Sequence, residues 1–279
     1  MTSTSHLAPG WRARWAARLK GAHGNRHIPL PPPDLLLTVG SPTADDFVLI
    51  GDRWVQRFKT LVDLQPTAHV LDVGCGCGRI ARPLTTFLDR DGAYDGVDVK
   101  GSHVAWCAKE ITARYPNFRF WHADIANSRY NPSGRIRSVD YVYPFDSGSL
   151  DFVFLTSVFT HMLPYDVAHY ISEISRVLRP GGRAVVTYFL LNDSSRAAIA
   201  SKRGRFEFRQ GSDQPCWVAS SSVPEQAVAH HQETIVQLHA DHGLRIDQIH
   251  RGSWTGTEAE TFQDVIVVTR TSDPASRIS

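Results

Sequence analysis

In the stretch VLDVGCGCGR, Asp72 stands two residues before Gly74, and Gly74, Gly76 and Gly78 alternate with Cys75 and Cys77. Asp98, in GVDV, follows Gly78 by 20 positions. Glycines at this spacing permit positive φ and let a ligand approach the main chain where a side chain would block it. An acidic residue about 20 positions on, ending a second strand, is placed to accept hydrogen bonds from ribose hydroxyls. The two features together imply a ribose-bearing ligand outside the carboxyl end of the first strand of an α/β sheet. The third glycine comes one position earlier than in the dinucleotide fingerprint, and no Gly-Lys-Ser/Thr is present. Neither pattern for cradling phosphates is therefore met. Cys75 and Cys77 lack a second pair to complete a metal set and read as small fillers of a tight turn, with no metal expected.

Bringing Asp72 and Asp98 to one place requires alternating strands and helices. AHVLDVG reads as a buried strand, RIARPLTTFLD as the helix after the glycines, and AYDGVDV as the second strand. SHVAWCAKEITARY follows as a helix with Ser102 as its cap, then FRFWHAD as a third strand. SLDFVFLTSVF is nearly all apolar, so it should be a central fourth strand, and PYDVAHYISEISRVL is a helix stopped by RPGG. RAVVTYFLL, LRIDQIHRG and QDVIVVTR complete about seven strands, and AVAHHQETIVQLHADH reads as a surface helix. The predicted class is α/β, a doubly wound Rossmann-like sheet with helices on both faces.

Three segments lie outside this rhythm. Residues 1–44 form a basic, Pro-rich arm; its first 33 residues carry five Lys or Arg and no acidic residue. Within it WRARWAARLKG fits a short basic helix that packs on the domain, a membrane-surface helix being the alternative. Residues 45–272 form the domain, with an insertion or lid near 192–235 holding SKRGRFEFR, and 273–279 are a tail.

The 279 residues suffice to bury a large core, and a net charge of +2 argues against a dedicated nucleic-acid binder. No apolar run reaches transmembrane length and no apolar stretch of the secretory kind follows the N-terminus, so a cytoplasmic setting is expected. The four cysteines are too few and irregular for a disulfide framework.

From VLDVGCGCGR through Asp98, WHADI, SLDFVFLTSVFTHM and EISRVLRPGGRAVVTYF, roughly residues 45–192, the chain resembles the class I S-adenosylmethionine-dependent methyltransferases. The resemblance implies a seven-stranded, mostly parallel sheet whose last strand is antiparallel, and S-adenosylmethionine as cofactor. It implies that Asp72, Gly74, Gly76 and Gly78 line the amino-acid and ribose end, that Asp98 takes the ribose hydroxyls, and that Asp124 faces the adenine amino group with Ile125 beside the ring. Leu155 to Ser157, centred on Thr156, would border the methionine end, with Val99 and His103 as further contacts.

Methyl transfer from a sulfonium needs an acceptor atom aligned behind the methyl, and a hydroxyl acceptor gains from a base. His161, after the fourth strand, is the candidate base, with packing of the next helix as its competing role. Tyr188, Asp193 and His230 are candidate substrate contacts; adjacent His230 and His231 should not both face the site. The Asn/Asp-Pro-Pro-aromatic motif of amino-methylating branches is absent, where TSVFTHM stands instead. O-methylation of a small metabolite, a sugar or secondary metabolite, is the leading reading. An RNA or protein methyltransferase and a non-catalytic S-adenosylmethionine-binding protein are the alternatives, and a NAD-dependent dehydrogenase is disfavoured by the glycine spacing.

Overall fold

The computed structural model describes residues 28–211 and 215–272. The basic segment WRARWAARLKG and the tail 273–279 lie outside the described residues. Seven strands form one sheet: β1 His69–Val73, β2 Ala93–Asp98, β3 Phe118–His122, β4 Leu150–Leu155, β5 Leu178–Tyr188, β10 Leu244–His250 and β11 Asp264–Arg270. Their order is β10-β11-β5-β4-β1-β2-β3. The strands β1 to β5 pair in parallel, while β11 runs antiparallel to both β5 and β10. The order reverses between β1 and β4, and a crevice opens at their carboxyl ends because the following connections leave in opposite directions.

Both faces are covered by helices whose apolar residues recur at helical spacing. Ala44–Val62 buries Phe47, Val55, Phe58 and Val62. The Phe58 ring centroid lies 5.0 Å from that of Phe152 and 4.6 Å from that of Phe154, which pins the helix to β4. Thr43 caps it by accepting from Asp46 N–H at 3.1 Å. On the other face Pro164–Val177 buries Val167, Ile171 and Ile174. β4 is central, as its unbroken apolar run implied, but it ends at Leu155 rather than reaching Phe159. Ser102 sits inside the first turn of the helix Gly101–Cys107 and caps nothing; Lys100 holds the cap position.

The segment 192–235 contributes to a second, four-stranded sheet in the order β6-β9-β8-β7, from β6 Leu190–Leu191, β7 Arg209–Gln210, β8 Cys216–Val218 and β9 Val228–His231. The expected surface helix over AVAHHQETIVQLHADH is replaced in its first part by β9, whose Val228, Ala229 and His230 are buried; the helix starts only at Gln232. An isolated strand of that composition gains nothing, and its burial comes from neighbours distant in sequence. Buried Asp264 staples the two sheets together. Its carboxylate accepts hydrogen bonds from Leu190 N–H, Gly252 N–H and Trp254 Nε1, each at 2.8 Å.

Part of the expected arm belongs to the domain. Ile28 is buried beside Val55 and Phe58, and the helix Pro33–Thr38 packs Leu36 against Phe47 and Cys77.

Candidate functional site

A cavity of about 520 Å³ opens where β1, β2 and β4 end. That is within the usual range of small-molecule sites, about 300–1,000 Å³. Asp72, Gly74, Gly76, Asp98, Val99, His103, Ile125, Thr156 and His161 line it. Gly78, Asp124, Tyr188, Asp193 and His230 do not.

The glycine turn is crowded by protein rather than by a ligand. Gly74, Gly76 and Gly78 have φ of +80°, +54° and +80°. A Cβ would meet Val158 Cγ2 at 2.5 Å on Gly74 and Val39 Cγ1 at 2.6 Å on Gly76. On Gly78 it would meet Ile111 Cδ1 at 2.7 Å, so that glycine serves packing against the helical segment after β2 and not the cavity. The turn's N–H groups are spent internally. Those of Gly74 and Cys75 donate to Val97 O at 2.7 and 3.1 Å, and that of Gly78 to Cys75 O at 3.1 Å. Gly76 N–H donates to Asp98 Oδ2 at 2.7 Å. A phosphate would find few free donors here. Cys75 and Cys77 are buried, and burial pushes both thiols up, that of Cys77 to about 12, so they stay protonated and unreactive.

Besides the Tyr143 hydroxyl, two buried polar atoms on residues lining this cavity have no partner. Asp72 accepts from Tyr94 Oη at 2.6 Å on Oδ2, but its Oδ1 has no hydrogen bond. Burial pushes its carboxyl up to about 8, against the Tyr94 hydrogen bond that opposes the shift. The other atom is His103 Nδ1. The Thr38 hydroxyl donates to Leu35 O at 2.6 Å, so towards His103 Nε2 at 2.8 Å it acts as acceptor. That leaves Nε2 as the donor and Nδ1 bare, 3.6 Å from Asp98 Oδ1. Asp98 Oδ1 also accepts Lys100 N–H at 2.8 Å, and both carboxylate oxygens retain a lone pair. A group carrying hydroxyls beside Asp98 and His103, and a cation beside Asp72, would complete both places.

His161 also lines the cavity, with Nδ1 3.0 Å from the Glu225 carbonyl oxygen. A carbonyl only accepts, so Nδ1 carries the proton and Nε2 the lone pair. Burial pushes this imidazole down to about 4, which keeps it neutral near pH 7 but makes it a weak base. The Tyr130 ring meets it edge-on at 5.3 Å. Ser157 takes the left-handed region at φ +61°, its N–H donating to Thr187 Oγ1 at 2.8 Å.

The remaining sequence candidates sit elsewhere for identifiable reasons. Asp124 is ion-paired to Arg135 Nε at 2.6 Å and accepts from Asn131 at 3.2 Å, which organises the loop after β3 and holds its carboxyl below the usual range. Tyr188 is fully buried under the second sheet, and burial pushes its phenol up. His230 is buried too, with Nε2 3.0 Å from Phe159 O. Asp193 opens the helix Asp193–Ala200 with its side chain in solvent, 3.5 Å from Arg196. His231 lies against Arg196, so neither adjacent histidine faces the cavity.

Several lining residues carry no sequence signal: Thr38 and Val39 from the supposed arm, Tyr130 after β3, Gln226 from the supposed lid, and Gln263; Phe206, also lining, belongs to the Arg- and Phe-rich SKRGRFEFR. They arrive through loops whose positions depend on packing. No group of His, Cys, Asp and Glu able to hold a metal occurs among the described residues, and no helix among them is long and apolar enough to cross a membrane.

Residues 70–182 match the family described as "Methyltransferase domain". The 27-O-demethylrifamycin SV methyltransferase of Amycolatopsis mediterranei is 28% identical over 76% of this chain and 68% of its own length. A human tRNA N(3)-cytidine methyltransferase is 29% identical over 49% of this chain and 32% of its own. The chain spans about half the length, or a little less, of the first curated relatives it matches. A solved SAM-dependent methyltransferase from Aquifex aeolicus superposes with a TM-score of 0.51 over 86% of this chain and 100% of its own, at 15% identity. That likeness concerns the fold.

Proposed function

Residues 70–182 are a class I S-adenosylmethionine-dependent methyltransferase domain, and from that premise we propose that the chain methylates a hydroxyl of a small metabolite. The observation that carries this reading is one cavity lined both by Asp72, Asp98 and His103 and by His161 with aromatic side chains.

The orphaned polar atoms fit the cofactor. The ribose hydroxyls would lie between Asp98 Oδ1 and the bare His103 Nδ1, and the cationic methionine end near the unpaired Asp72 Oδ1. Val99 and Ile125 would flank the base, and Thr156 would border the methionine end. When bound, S-adenosylmethionine supplies a methyl group activated by the positive charge on sulfur. The chain's own contribution is alignment. An acceptor hydroxyl hydrogen-bonded to His161 Nε2 is held for in-line attack, worth up to about 7–11 kcal/mol in favourable systems. Were a C–O bond to form there as the methyl C–S bond of the sulfonium broke, the hydroxyl would become acidic enough to lose its proton even to a base as weak as this buried imidazole or to water. His161 thus positions the hydroxyl first and accepts a proton late.

The test is methyl transfer from labelled S-adenosylmethionine into a metabolite extract. Label in a small molecule, released as methanol only by ether or ester cleavage, supports O-methylation. Label on nitrogen or carbon overturns the choice of atom. The second reading, RNA methylation, is favoured by the likeness to the tRNA enzyme, and label in a ribonuclease-sensitive fraction would establish it instead.

A further inference from the structure

The cavity carries charge that the methyl-transfer reading leaves unused. Lys100, Arg129 and Arg205 all line the cavity, and among the described residues no carboxylate lies within 4.0 Å of any of them. Each rests on an aromatic face. Lys100 Nζ is 5.6 Å and Arg129 Cζ 5.2 Å from the Tyr130 centroid, and Arg205 Cζ is 5.5 Å from that of Phe262. Tyr130 is the ring that touches His161 edge-on, so two of the cations share the ring that borders the candidate acceptor contact. The aspartates of the cavity offer them no pairing: Asp72 and Asp98 are both buried, and neither comes within 4.0 Å of these cations.

A cation with one face on a ring has lost part of its water there, and a charged partner restores that loss better than water can. Phe206 and Phe262 also line the cavity, their ring centroids 6.1 Å apart. We propose that the methyl acceptor is an anionic small molecule with a flat apolar body. Lys100 and Arg129 hold its carboxylate or phosphate beside Tyr130, and its ring lies against Phe206 and Phe262. The cavity of about 520 Å³ shared with the cofactor favours a small molecule over a polynucleotide. This inference rests on the methyltransferase reading and names its substrate class.

The experiment uses the full chain saturated with S-adenosylhomocysteine, whose own binding is measured first; failure there would sink the methyltransferase reading itself. Benzoate, phenyl phosphate and neutral benzamide are then titrated by calorimetry. The anions should bind roughly tenfold or more tightly than benzamide, and the preference between benzoate and phenyl phosphate identifies the anionic group. In the Lys100→Gln/Arg129→Gln double variant the advantage should shrink to roughly threefold or less, and Arg129→Lys should retain much of it. If S-adenosylhomocysteine binds but benzamide matches the anions, or the double variant keeps the discrimination, the proposal is wrong. A short oligouridylate that displaces benzoate and binds more tightly would overturn it in favour of RNA.

Discussion

Replacing Asp72 with asparagine tests whether the unpaired Oδ1 is waiting for a cation. Burial pushes this carboxyl up to about 8, so it is protonated at neutral pH in the cofactor-free protein. A positive group placed beside Oδ1 favours the carboxylate and expels the proton. If cofactor binding requires the ionised form, the competent fraction is about 1% at pH 6 and about 50% at pH 8, and the dissociation constant should fall about 50-fold over that range. Binding at pH 7 should release about 0.9 proton, read from calorimetric enthalpies in buffers of different ionisation heat. The cofactor's amino group titrates nearby, so the decisive quantity is the difference between wild type and Asp72→Asn. Asparagine can still accept from Tyr94 but cannot ionise. It should lose this extra pH dependence and bind roughly 10- to 100-fold more weakly at pH 8, the usual worth of a hydrogen bond to a charged group. Stability carries the opposite sign. Folding raises this pKa, so the associated stability is fully present below the unfolded carboxylate pKa near 4 and is lost as pH rises through about 8. Without cofactor, Asp72→Asn should therefore melt higher than wild type at pH 9. Equal pH slopes for S-adenosylmethionine binding in the two proteins would refute the reasoning.

Gly76→Ala places a Cβ 2.6 Å from Val39 at φ +54°, and should lower the melting temperature by about 2–8 °C while weakening the contact of the helix Pro33–Thr38, read as lost amide protection there. Asp264→Ala orphans three buried donors at the junction of the two sheets. Denaturant titration should show a loss of about 3 kcal/mol or more, and a loss below about 1 kcal/mol would contradict the stapling role. His161→Ala should cut turnover at least about tenfold and leave S-adenosylmethionine affinity unchanged. Because burial takes this imidazole down to about 4, the wild-type rate should show no inflection from it between pH 6 and 8.

What local patterning could reach was the sheet and its first loop. The alternation of apolar strands and helices, the RPGG stop and the Gly-x-Gly-x-Gly turn each depend on neighbours within a few residues, and all reappear in the structure. Asp98 was legible because the strand carrying it also sets where its side chain emerges, at the crevice where strand order reverses. Asp124 fits the same logic, yet Arg135 captures it, since an ion pair within one loop competes with any ligand for the carboxylate. Tyr188 and Asp193 stand close to the end of the fifth strand in sequence, and His230 in the presumed lid. One extra residue of path decides whether such a side chain meets the cavity, the second sheet or solvent, and sequence distance does not encode that difference.

The roles of the glycines show the division most plainly. Their need for positive φ is written in the residue type, since only a residue without a Cβ tolerates that backbone so readily. What crowds them is Val39, Val158 and Ile111, from three separate segments, and this only the packed chain decides. The same holds for the cations of the cavity. Lys100 and Arg129 are unremarked in the sequence, and Arg205 stands out there only within the Arg- and Phe-rich SKRGRFEFR; all three acquire meaning when Tyr130, Phe262 and the cavity bring them together. Sequence by itself determined the sheet and the turn, because those follow from local periodicity and a compact motif, while the cofactor class came from the resemblance to the methyltransferases. Tertiary structure alone decided which charges go unpaired, because pairing is a property of groups that meet across long stretches of chain.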